Sequence, residues 1–287
     1  MLAVFKRELK AYFLTPIGYL YMGLFLLLTG IFFFFDNLIS GRSHFTGFLG
    51  SILMIYLFAI PLLTMRLFSE EKRQKTDQLL LTSPVSITGI VCGKFLAALA
   101  VYCGTLLVTA LYAVVIAVYG DLLVWETVGS YIGFIFLGAS YISLGIFVST
   151  VTENQLTAAL ISFFTLMLIW LIDPVSNMVP SDTRSGIISA IVLLAALLLF
   201  LYLNTKNWII VLGAAILGGL TIGGFYLFKQ DVYFGFIRKF LGWFSLNRRY
   251  QSFSMGLLKF DSLLYYVSFS GLFLFLTVRL IEKRRWN

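Results

Sequence analysis

Residues 95–120 read FLAALAVYCGTLLVTALYAVVIAVYG, a run of 26 positions without Asp, Glu, Lys or Arg. A helix that crosses about 30 Å of hydrocarbon needs roughly 20 apolar residues. Seven further charge-free windows of at least 17 residues lie at 11–35, 43–65, 127–152, 154–172, 185–205, 207–228 and 262–278. Together, these windows predict about eight transmembrane helices.

The composition excludes a soluble globular protein. Hydrophobic residues make up 60% of the 287 positions and charged residues only 12%, whereas soluble domains carry about 25% charged residues. The windows are too long for the roughly ten-residue strands of a membrane β-barrel, and helices satisfy their own backbone groups in lipid. The sequence therefore predicts an all-α, polytopic membrane protein.

Other features of the composition predict neither a disulfide nor a nucleic-acid partner. Cys92 and Cys103 are eleven residues apart, which is about 16 Å along one helix and too far for a disulfide. The net charge is +8, but no dense basic stripe or RNA-binding motif is present. Membrane proteins carry excess Lys and Arg for orientation.

The distribution of Lys and Arg predicts the orientation in the membrane. With eight spans, thirteen of these residues fall on the face that holds both termini, and eight fall on the opposite face. The positive-inside bias therefore predicts that both termini are cytoplasmic. Six of these eight residues lie in residues 229–261. This stretch contains two amphipathic stripes, separated at residues 245–247, which predict helices in or near the outer leaflet.

The first 14 residues predict a surface helix that precedes the first span. Its apolar side chains recur at helical spacing, at Leu2, Phe5, Leu9, Tyr12 and Phe13. The charged side chains fall on the other face, at Lys6, Arg7, Glu8 and Lys10. Such a helix lies in the interface plane, and Pro16 marks the corner at which the chain enters the membrane.

The stretch 69–84, SEEKRQKTDQLLLTSP, is the longest one predicted to stand in the cytoplasm. Ser69 is a suitable N-cap for a short helix with an acidic first turn. Ion pairs of Glu71 with Lys75 and of Glu70 with Arg73 are expected within that helix. The pattern fits either a docking element for a soluble partner or a solvated connector.

No sequence motif supports catalysis. A P-loop needs GxxxxGK followed by Ser or Thr, but the nearest match, Gly89 to Lys94, is one residue short and continues with Phe95. The sole histidine, His44, lies in a predicted loop, and no catalytic, metal-ligating or cofactor-binding set can be assembled. We expect the chain to be no enzyme and to bind no cofactor.

Two stretches resemble the ABC-2 type permeases, the membrane subunits of ABC exporters. The first carries a family signature in Arg66, Leu67, Phe68, Ser69, Glu70, Glu71, Lys72, Arg73, Thr76, Asp77, Leu79, Leu80, Thr82, Ser83, Pro84, Val85, Gly93, Lys94 and Phe95. The second is the ending LLYYVSFSGLFLFLTVRLIEKRRWN, which is similar to the last span and tail of the gliding-motility type.

The resemblance implies a fold of the type V exporter class and a permease that is coupled to a separate ABC ATPase subunit. ATP and Mg would be bound by that partner. A second permease copy or homologue, membrane lipids and extracytoplasmic accessory proteins are further implied partners. The implied location is a bacterial plasma (inner) membrane.

The resemblance also assigns residues to the contact with the ATPase. The coupling segment, 69–88, would contribute Ser69, Glu70, Glu71, Lys72, Arg73, Thr76, Asp77, Leu79, Leu80, Thr82, Ser83 and Pro84. A smaller contact would come from Thr152, Glu153, Asn154 and Gln155. The surface helix 1–14, through Phe5, Arg7, Glu8 and Leu9, would complete the platform.

Two departures from the family pattern stand out. Lys75 occupies a position at which the family usually has glycine. The windows within 185–228 add two spans to the usual six and predict an inserted hairpin with its turn at 204–207. A row of small residues on this hairpin, Ala215, Gly219 and Gly223, allows either close packing of helices or a dimer contact.

Two rival functions remain open. Ion-coupled secondary transporters commonly place ionisable residues inside their spans, and all eight windows lack Asp, Glu, Lys and Arg. A sodium site made of backbone carbonyls would still be compatible with the sequence. A membrane scaffold that transports nothing is the second rival, because no polar-lined pore is evident.

Overall fold

A computed structural model describes residues 1–41, 45–76, 85–228 and 233–286. In these residues the chain forms helices and connecting turns, without a β-strand. The helices are α1 (Leu2–Leu14), α2 (Pro16–Phe33), α3 (Phe45–Ile52), α4 (Tyr56–Thr64), α5 (Ser69–Arg73), α6 (Ile87–Tyr119), α7 (Val124–Val151), α8 (Gln155–Met178), α9 (Thr183–Thr205), α10 (Trp208–Phe228), α11 (Phe236–Phe244), α12 (Leu246–Ser254) and α13 (Phe260–Trp286). A π-helical turn, Phe34–Ile39, extends α2.

Seven helical stretches of the described chain are long and apolar enough to cross a membrane. They are Pro16–Ile39, Gly47–Arg73, Ile87–Tyr119, Val124–Val151, Gln155–Met178, Thr183–Thr205 and Phe260–Arg284. The eighth predicted window forms α10, whose described apolar stretch, Trp208–Gly224, falls below that length. The prediction of an all-α polytopic membrane protein is confirmed.

One helix boundary differs from the prediction. The third span begins at Ile87, eight residues before the window at 95–120, and the Oγ of Ser86 caps it by accepting a hydrogen bond from the amide of Gly89 at 3.2 Å. Lys94, which bounds the predicted window, lies inside α6 with 1% of its surface exposed. The boundary at Lys94 is therefore wrong, because paired carboxylates allow this lysine to be buried.

The chain divides into two compact units, Met1–Leu168 with Leu246–Asn287, and Ile169–Ser245. In the first unit, α7 packs against α4, α6, α12 and α13. Glycines allow these close approaches: a Cβ on Gly145 would stand 2.3 Å from the Oγ1 of Thr64, and a Cβ on Gly138 would stand 2.5 Å from the ring of Tyr102. Small residues bring helix backbones together in this way in membrane proteins.

In the second unit, α9 and α10 form a hairpin with a tight turn. Lys206, in the left-handed region at φ 48°, ends α9. The Oδ1 of Asn207 accepts a hydrogen bond from the amide of Ile209 at 3.0 Å and caps the start of α10. The turn thus lies within the predicted 204–207. Leu194 packs against Gly218, because a Cβ built on Gly218 would stand 2.3 Å from the Cδ1 of Leu194.

The close contact between α9 and α10 is made at Gly218 and not at Gly219 or Gly223 of the small-residue row. No described atom lies within 4 Å of a Cβ built on Gly219 or Gly223. Neither glycine of the row therefore packs closely against a described residue. A dimer contact through this row stays a prediction.

Helices also occupy both amphipathic stretches of residues 229–261, of which 229–232 lie outside the described residues. On the first, α11, aromatic rings form a ladder from Tyr233 through Phe236 and Phe240 to Phe244, with centroid distances of 6.5, 6.3 and 5.3 Å. The predicted break at 245–247 is shorter than expected, since α12 already begins at Leu246. Leu246 is buried and belongs to the core of the first unit.

Candidate functional site

Four charged side chains meet where α1, α5 and α6 come together, and we call them the charge cluster. Arg7 and Glu8 belong to α1, Glu71 to α5 and Lys94 to α6. The Nη2 of Arg7 lies 2.6 Å from Oε1 of Glu8 and 2.7 Å from Oε1 of Glu71. The Nζ of Lys94 lies 3.0 and 2.9 Å from the same two oxygens. Each cation therefore bridges both carboxylates, and the cluster is neutral overall.

Lys94 is the buried centre of the charge cluster. Besides the two carboxylates, its ammonium group donates a hydrogen bond to the backbone carbonyl of Leu67 at 2.5 Å. It also lies 4.9 Å from the centroid of the Phe68 ring. The ammonium group thus makes two hydrogen bonds, to Glu8 and to Leu67, and an ion pair with Glu71. The removal of one partner from a buried ion pair is costly, because it leaves an uncompensated charge.

The contacts of Glu8 determine its electrostatics. Burial raises the pKa of this carboxyl. The charge of Lys94 and the hydrogen bonds from Arg7 and Lys94 lower the pKa by more than burial raises it, so the pKa lies below the ordinary value. Burial lowers the pKa of Arg7, and its contacts with Glu8 and Glu71 outweigh that effect. Both α1 groups are therefore charged at neutral pH.

A glycine on α6 allows α1 to come close to the charge cluster. A Cβ on Gly93, the residue before Lys94, would stand 3.1 Å from both the carbonyl oxygen of Met1 and the Cβ of Val4. Real Cβ atoms rarely come this close to other heavy atoms. Gly93 thus permits the approach that brings Glu8 to Lys94.

The buried face of α1 differs from the predicted one. The structure buries Val4, Glu8 and Tyr12, whereas Leu2 and Phe13 of the predicted apolar stripe are exposed. The placement of Glu8 on the exposed polar face was wrong, because the carboxylate is buried by pairing with Lys94. The hydroxyl of Tyr12 donates to the carbonyl of Leu63 at 2.7 Å and secures the same face.

A second set of contacts connects α5 to the end of α7. The Oγ of Ser149 accepts hydrogen bonds from the amides of Phe68 and Ser69, at 3.1 and 3.2 Å. Amides in the first turn of a helix lack partners within that helix, so Ser149 supplies an acceptor from a neighbouring helix. The Nζ of Lys72 donates to the carbonyl of Thr150, which lies in the last turn of α7.

The second predicted contact segment follows directly after α7. Thr152 is buried, and its Oγ1 donates to the carbonyl of Val148 at 3.2 Å. The Oδ1 of Asn154 accepts from the amide of Leu156 at 2.9 Å and caps α8, which begins at Gln155. Glu153 is exposed. The structure therefore brings the start of the 69–88 segment and residues 152–155 to the same end of the first unit.

The predicted cap and ion pairs within the 69–84 helix do not form. The Oγ of Ser69 donates to the carbonyl of Met65 instead of capping, and Phe68 is the N-cap residue. Glu71 pairs with the cations of α1 and α6 and not with Lys75. Glu70 makes no ion pair with Arg73 among the described residues and accepts a hydrogen bond from Gln74 at 3.4 Å. For Glu71, contacts with other helices therefore replace the expected local pair.

The helix α5 ends at Arg73, and the backbone conformation of Lys75 accounts for this end. Lys75 has a φ of 57°, in the left-handed region. This conformation is common just beyond a helix C-terminus and is usually taken by glycine. It matches the position at which the resembled family usually has glycine.

Six predicted contact residues lie outside the described residues, namely Asp77, Leu79, Leu80, Thr82, Ser83 and Pro84. His44 also lies outside them. Thr76 is the last described residue before this gap, and its amide donates to the carbonyl of Glu71 at 2.9 Å. Of the predicted α1 residues, Phe5 and Leu9 are half-buried.

The local sequence pattern does not predict the roles of Lys94 and Ser149. A single lysine in an apolar helical pattern, five residues after Gly89 and directly after Gly93, is the signal that could have identified Lys94 as a buried partner. A charged residue in such surroundings needs a counter-charge. Ser149 had no comparable signal, because serine is common in membrane helices and its partners depend on the packing.

The arrangement supports mechanical connection and not phosphate binding. The near match to a P-loop at Gly89 to Lys94 lies inside α6, where the Lys94 ammonium group is occupied by protein acceptors. Among the described residues no group of three or more His, Cys, Asp or Glu could hold a metal ion. A displacement of α5 would instead act on α1 and α6 through the charge cluster and on α7 through Ser149.

Comparison with known proteins identifies the family to which the chain belongs. A search of the curated proteins finds no match. The model of a protein family described as "ABC-2 family transporter protein" matches residues 23–219, about two thirds of the chain. Such proteins are membrane components of ABC transporters, which implies an ABC ATPase partner and dimerisation. The chain therefore belongs to the ABC-2 transporter family and is a multi-pass membrane protein.

Proposed function

We propose that this chain is the membrane-spanning permease subunit of an ABC exporter, driven by a separate ATPase subunit. The ATPase would dock on the coupling segment 69–88 and on 152–155, with α1 completing the platform. The permease would act as a dimer with a second copy or homologue, and the partner would bind ATP and Mg. We also propose that the chain is of the gliding-motility type and that extracytoplasmic accessory proteins are further partners. The proposed location is a bacterial plasma membrane, with both termini in the cytoplasm.

One observation carries this proposal. The short helix α5 contacts three longer helices through specific polar groups. Glu71 pairs with Arg7 of α1 and Lys94 of α6, and the amide of Ser69 donates to Ser149 of α7. A solvated connector needs no such contacts. A docking helix does, because a load applied by the ATPase must reach the spans.

The charge cluster also bears on the ion-coupled rival. The described third span contains a buried lysine that the charge-free window omitted, and ionisable residues inside spans often serve ion transport. Here, however, the Lys94 ammonium group is fully engaged by Glu8, Glu71 and the carbonyl of Leu67. Because each cation contacts both carboxylates and the net charge is zero, the arrangement favours a structural joint over a proton or ion site.

Co-purification with the ATPase tests the docking surface. Arg73 and Glu153 are exposed, and neither belongs to the charge cluster. We expect Arg73→Glu and Glu153→Lys each to reduce the amount of ATPase subunit that co-purifies with the tagged permease. Lys259→Glu, an exposed charge change on the face predicted to be extracytoplasmic, is the matched control and should have no effect. These positions are better choices than Glu71, whose reversal would also disrupt contacts within the permease.

The outcome separates the proposal from its rivals. Identification of an ABC ATPase by mass spectrometry, with reduced capture in the two variants only, supports docking at this surface. If the wild-type chain captures no ATPase, or if Lys259→Glu reduces capture as much as Arg73→Glu, the proposed docking is wrong. Transport that persists in vesicles without ATP but depends on an ion gradient would favour the ion-coupled rival.

Accessibility labelling tests the proposed orientation. A variant with Arg73→Cys as its single cysteine, made in a Cys92→Ser and Cys103→Ser background, should react with a membrane-impermeant maleimide in inside-out vesicles but not in intact cells. Lys259→Cys in the same background should give the opposite result. Labelling of Arg73→Cys in intact cells would overturn the orientation, whatever ATPase the chain captures.

A further inference from the structure

An apolar groove of about 530 Å³ lies between α1 and α6, within the first unit. It is lined by Met1, Leu2, Phe5, Leu96, Leu99, Ala100 and Cys103. Its volume falls within the range of about 300–1,000 Å³ that is usual for small-molecule sites. The groove contains none of the residues of the charge cluster, and the proposed coupling does not use it.

The shape of the groove follows from the spacing of its residues on α6. Leu96, Leu99, Ala100 and Cys103 are at positions i, i+3, i+4 and i+7, so they share one face of the helix. They extend for about 10 Å along its axis. The groove therefore runs along a membrane span from the level of α1 into the apolar part of that span. This geometry suits an extended hydrocarbon chain.

Positive charge lies on α1, the helix that forms one wall of the groove, and Lys6 follows the lining residue Leu2 by one helical turn. Lys6 and Lys10 are exposed and lie one helical turn apart on α1, and neither makes an ion pair with a described residue. They border the exposed apolar side chains of Leu2 and Phe13. Lysine stems cover apolar surface while the ammonium group stays in water. Basic, amphipathic helices of this kind are attracted to anionic lipids.

The carboxylates of this region do not compensate that charge. Glu8 and Glu71 are shared between Arg7 and Lys94. The exposed side of α1 therefore carries net positive charge, and the same helix lines an apolar groove. A phospholipid with an anionic headgroup matches both features, whereas a zwitterionic lipid matches only the groove.

We propose that the groove between α1 and α6 binds a phospholipid with an anionic headgroup, taken from the leaflet that contains α1. One acyl chain lies along Leu96, Leu99 and Cys103, and the phosphate lies near Lys6 and Lys10. The bound lipid holds α1 against α6 and so supports the charge cluster from the other side of the same helix. This site goes beyond the proposed export function and does not depend on it.

Native mass spectrometry of the delipidated full chain tests the site. The protein is titrated separately with dioleoyl phosphatidylglycerol, dioleoyl phosphatidylcholine and glycerol 3-phosphate. We expect a first phosphatidylglycerol to bind more tightly than phosphatidylcholine, and glycerol 3-phosphate neither to bind at comparable concentrations nor to displace the lipid. Equal binding of the two lipids, or displacement by glycerol 3-phosphate, would overturn the proposal.

Two kinds of variant separate the acyl groove from the charges. Ala100→Trp fills the groove and should abolish the first binding event, with Cys103→Trp as a second variant if the first does not fold. Leu107→Trp, on an exposed part of α6 outside the groove, is the control. Lys6→Ala with Lys10→Ala should weaken the first phosphatidylglycerol by about 30-fold at low salt.

The charge control uses another exposed basic pair. Lys283→Ala with Arg284→Ala removes the same charge from α13 and should leave the first binding event unchanged. If this pair weakens binding as much as the α1 pair, or if Ala100→Trp and Cys103→Trp both retain the lipid, the site is not in this groove. Because no ATPase is present, neither result depends on the proposed export function.

Discussion

The charge cluster and the α9–α10 hairpin show two different ways of stabilising helices in this protein. In the cluster, a lysine with 1% exposure is bound by two carboxylates from different helices. The hairpin windows contain no charged side chain, and its contact relies on an apolar side chain over Gly218. Buried residues make up 72% of the most apolar stretch of α7 but 17% of that of α9. The first unit therefore depends on particular partners, and the hairpin depends mainly on its apolar composition and its turn.

The largest effect is expected from breaking the charge cluster. Lys94→Met leaves Glu8 and Glu71 buried without their central cation, and we expect it to lower the free energy of unfolding by about 3–5 kcal/mol. Unfolding in mixed detergent and SDS micelles measures this value. Adding Glu8→Gln to Lys94→Met should restore part of the loss, because one uncompensated charge is removed.

The control for this variant is Lys283→Met, an exposed lysine of α13. It should change the free energy of unfolding by less than about 0.5 kcal/mol, as is usual for surface sites. If Lys94→Met were equally mild, the charge cluster would not stabilise the first unit in the way its geometry indicates.

A glycine replacement in each region gives the next largest contrast. Gly145→Ala places a Cβ 2.3 Å from the Oγ1 of Thr64, and we expect this overpacking to cost about 1–3 kcal/mol. Gly219→Ala meets no described atom within 4 Å, so it should be neutral or stabilising by up to about 1 kcal/mol, as expected when alanine replaces glycine in a helix. The same unfolding assay compares the two.

The glycine comparison also tests the hairpin. If Gly219→Ala reduces crosslinking between two copies of the chain while the stability of each is retained, the small-residue row contacts a second permease. Equal losses of unfolding free energy for the two alanine variants would remove the distinction between the regions.

The stability contributed by the charge cluster is expected to depend on pH. The pKa of Glu8 is lowered below its ordinary value of 4.5 in the folded protein. Its ion pairs therefore contribute fully above about pH 4.5 and lose their contribution as the pH falls through the folded-state value. Thermal unfolding from pH 7 to pH 3 should show a steeper loss for the wild type than for Glu8→Gln. A Glu8→Gln profile identical to that of the wild type would contradict this account.

The smallest effect concerns the two lysines with positive φ, one in each unit. Lys75 and Lys206 have φ values of 57° and 48°. A left-handed conformation costs about 1–2 kcal/mol for most residues, and the added chain entropy of glycine offsets about 0.5–1 kcal/mol. Lys75→Gly and Lys206→Gly should each stabilise the chain by about 0.5–1 kcal/mol in the unfolding assay. Alanine at the same positions is the control and should give no such gain.

Much of the architecture could be predicted from local patterns. Charge-free windows predict the spans, because charged groups are costly in lipid. Pro16 marks the corner at the start of α2, where Thr15 is extended. Asn207 caps α10 at the predicted turn. These features depend on residues that are close in the sequence, so the pattern alone is sufficient.

The candidate site was less predictable because its contacts join distant positions. Glu8 and Lys94 are 86 residues apart, and each looks like an exposed charge in its own segment. The local pair expected between Glu71 and Lys75 does not form, since Lys75 lies beyond the end of α5 and Glu71 instead contacts Arg7 and Lys94 of other helices.

The apolar helices of this protein follow from local sequence, because lipid selects long windows without charge. The signature that resembles the ABC-2 family, in residues 66–95, is also present in the sequence. Which charges are buried, where α6 begins and which face of α1 is hidden depend instead on the packing of the helices. The physical reason is that the cost of burying Lys94 depends on carboxylates supplied by other helices, and their proximity is a property of the packing.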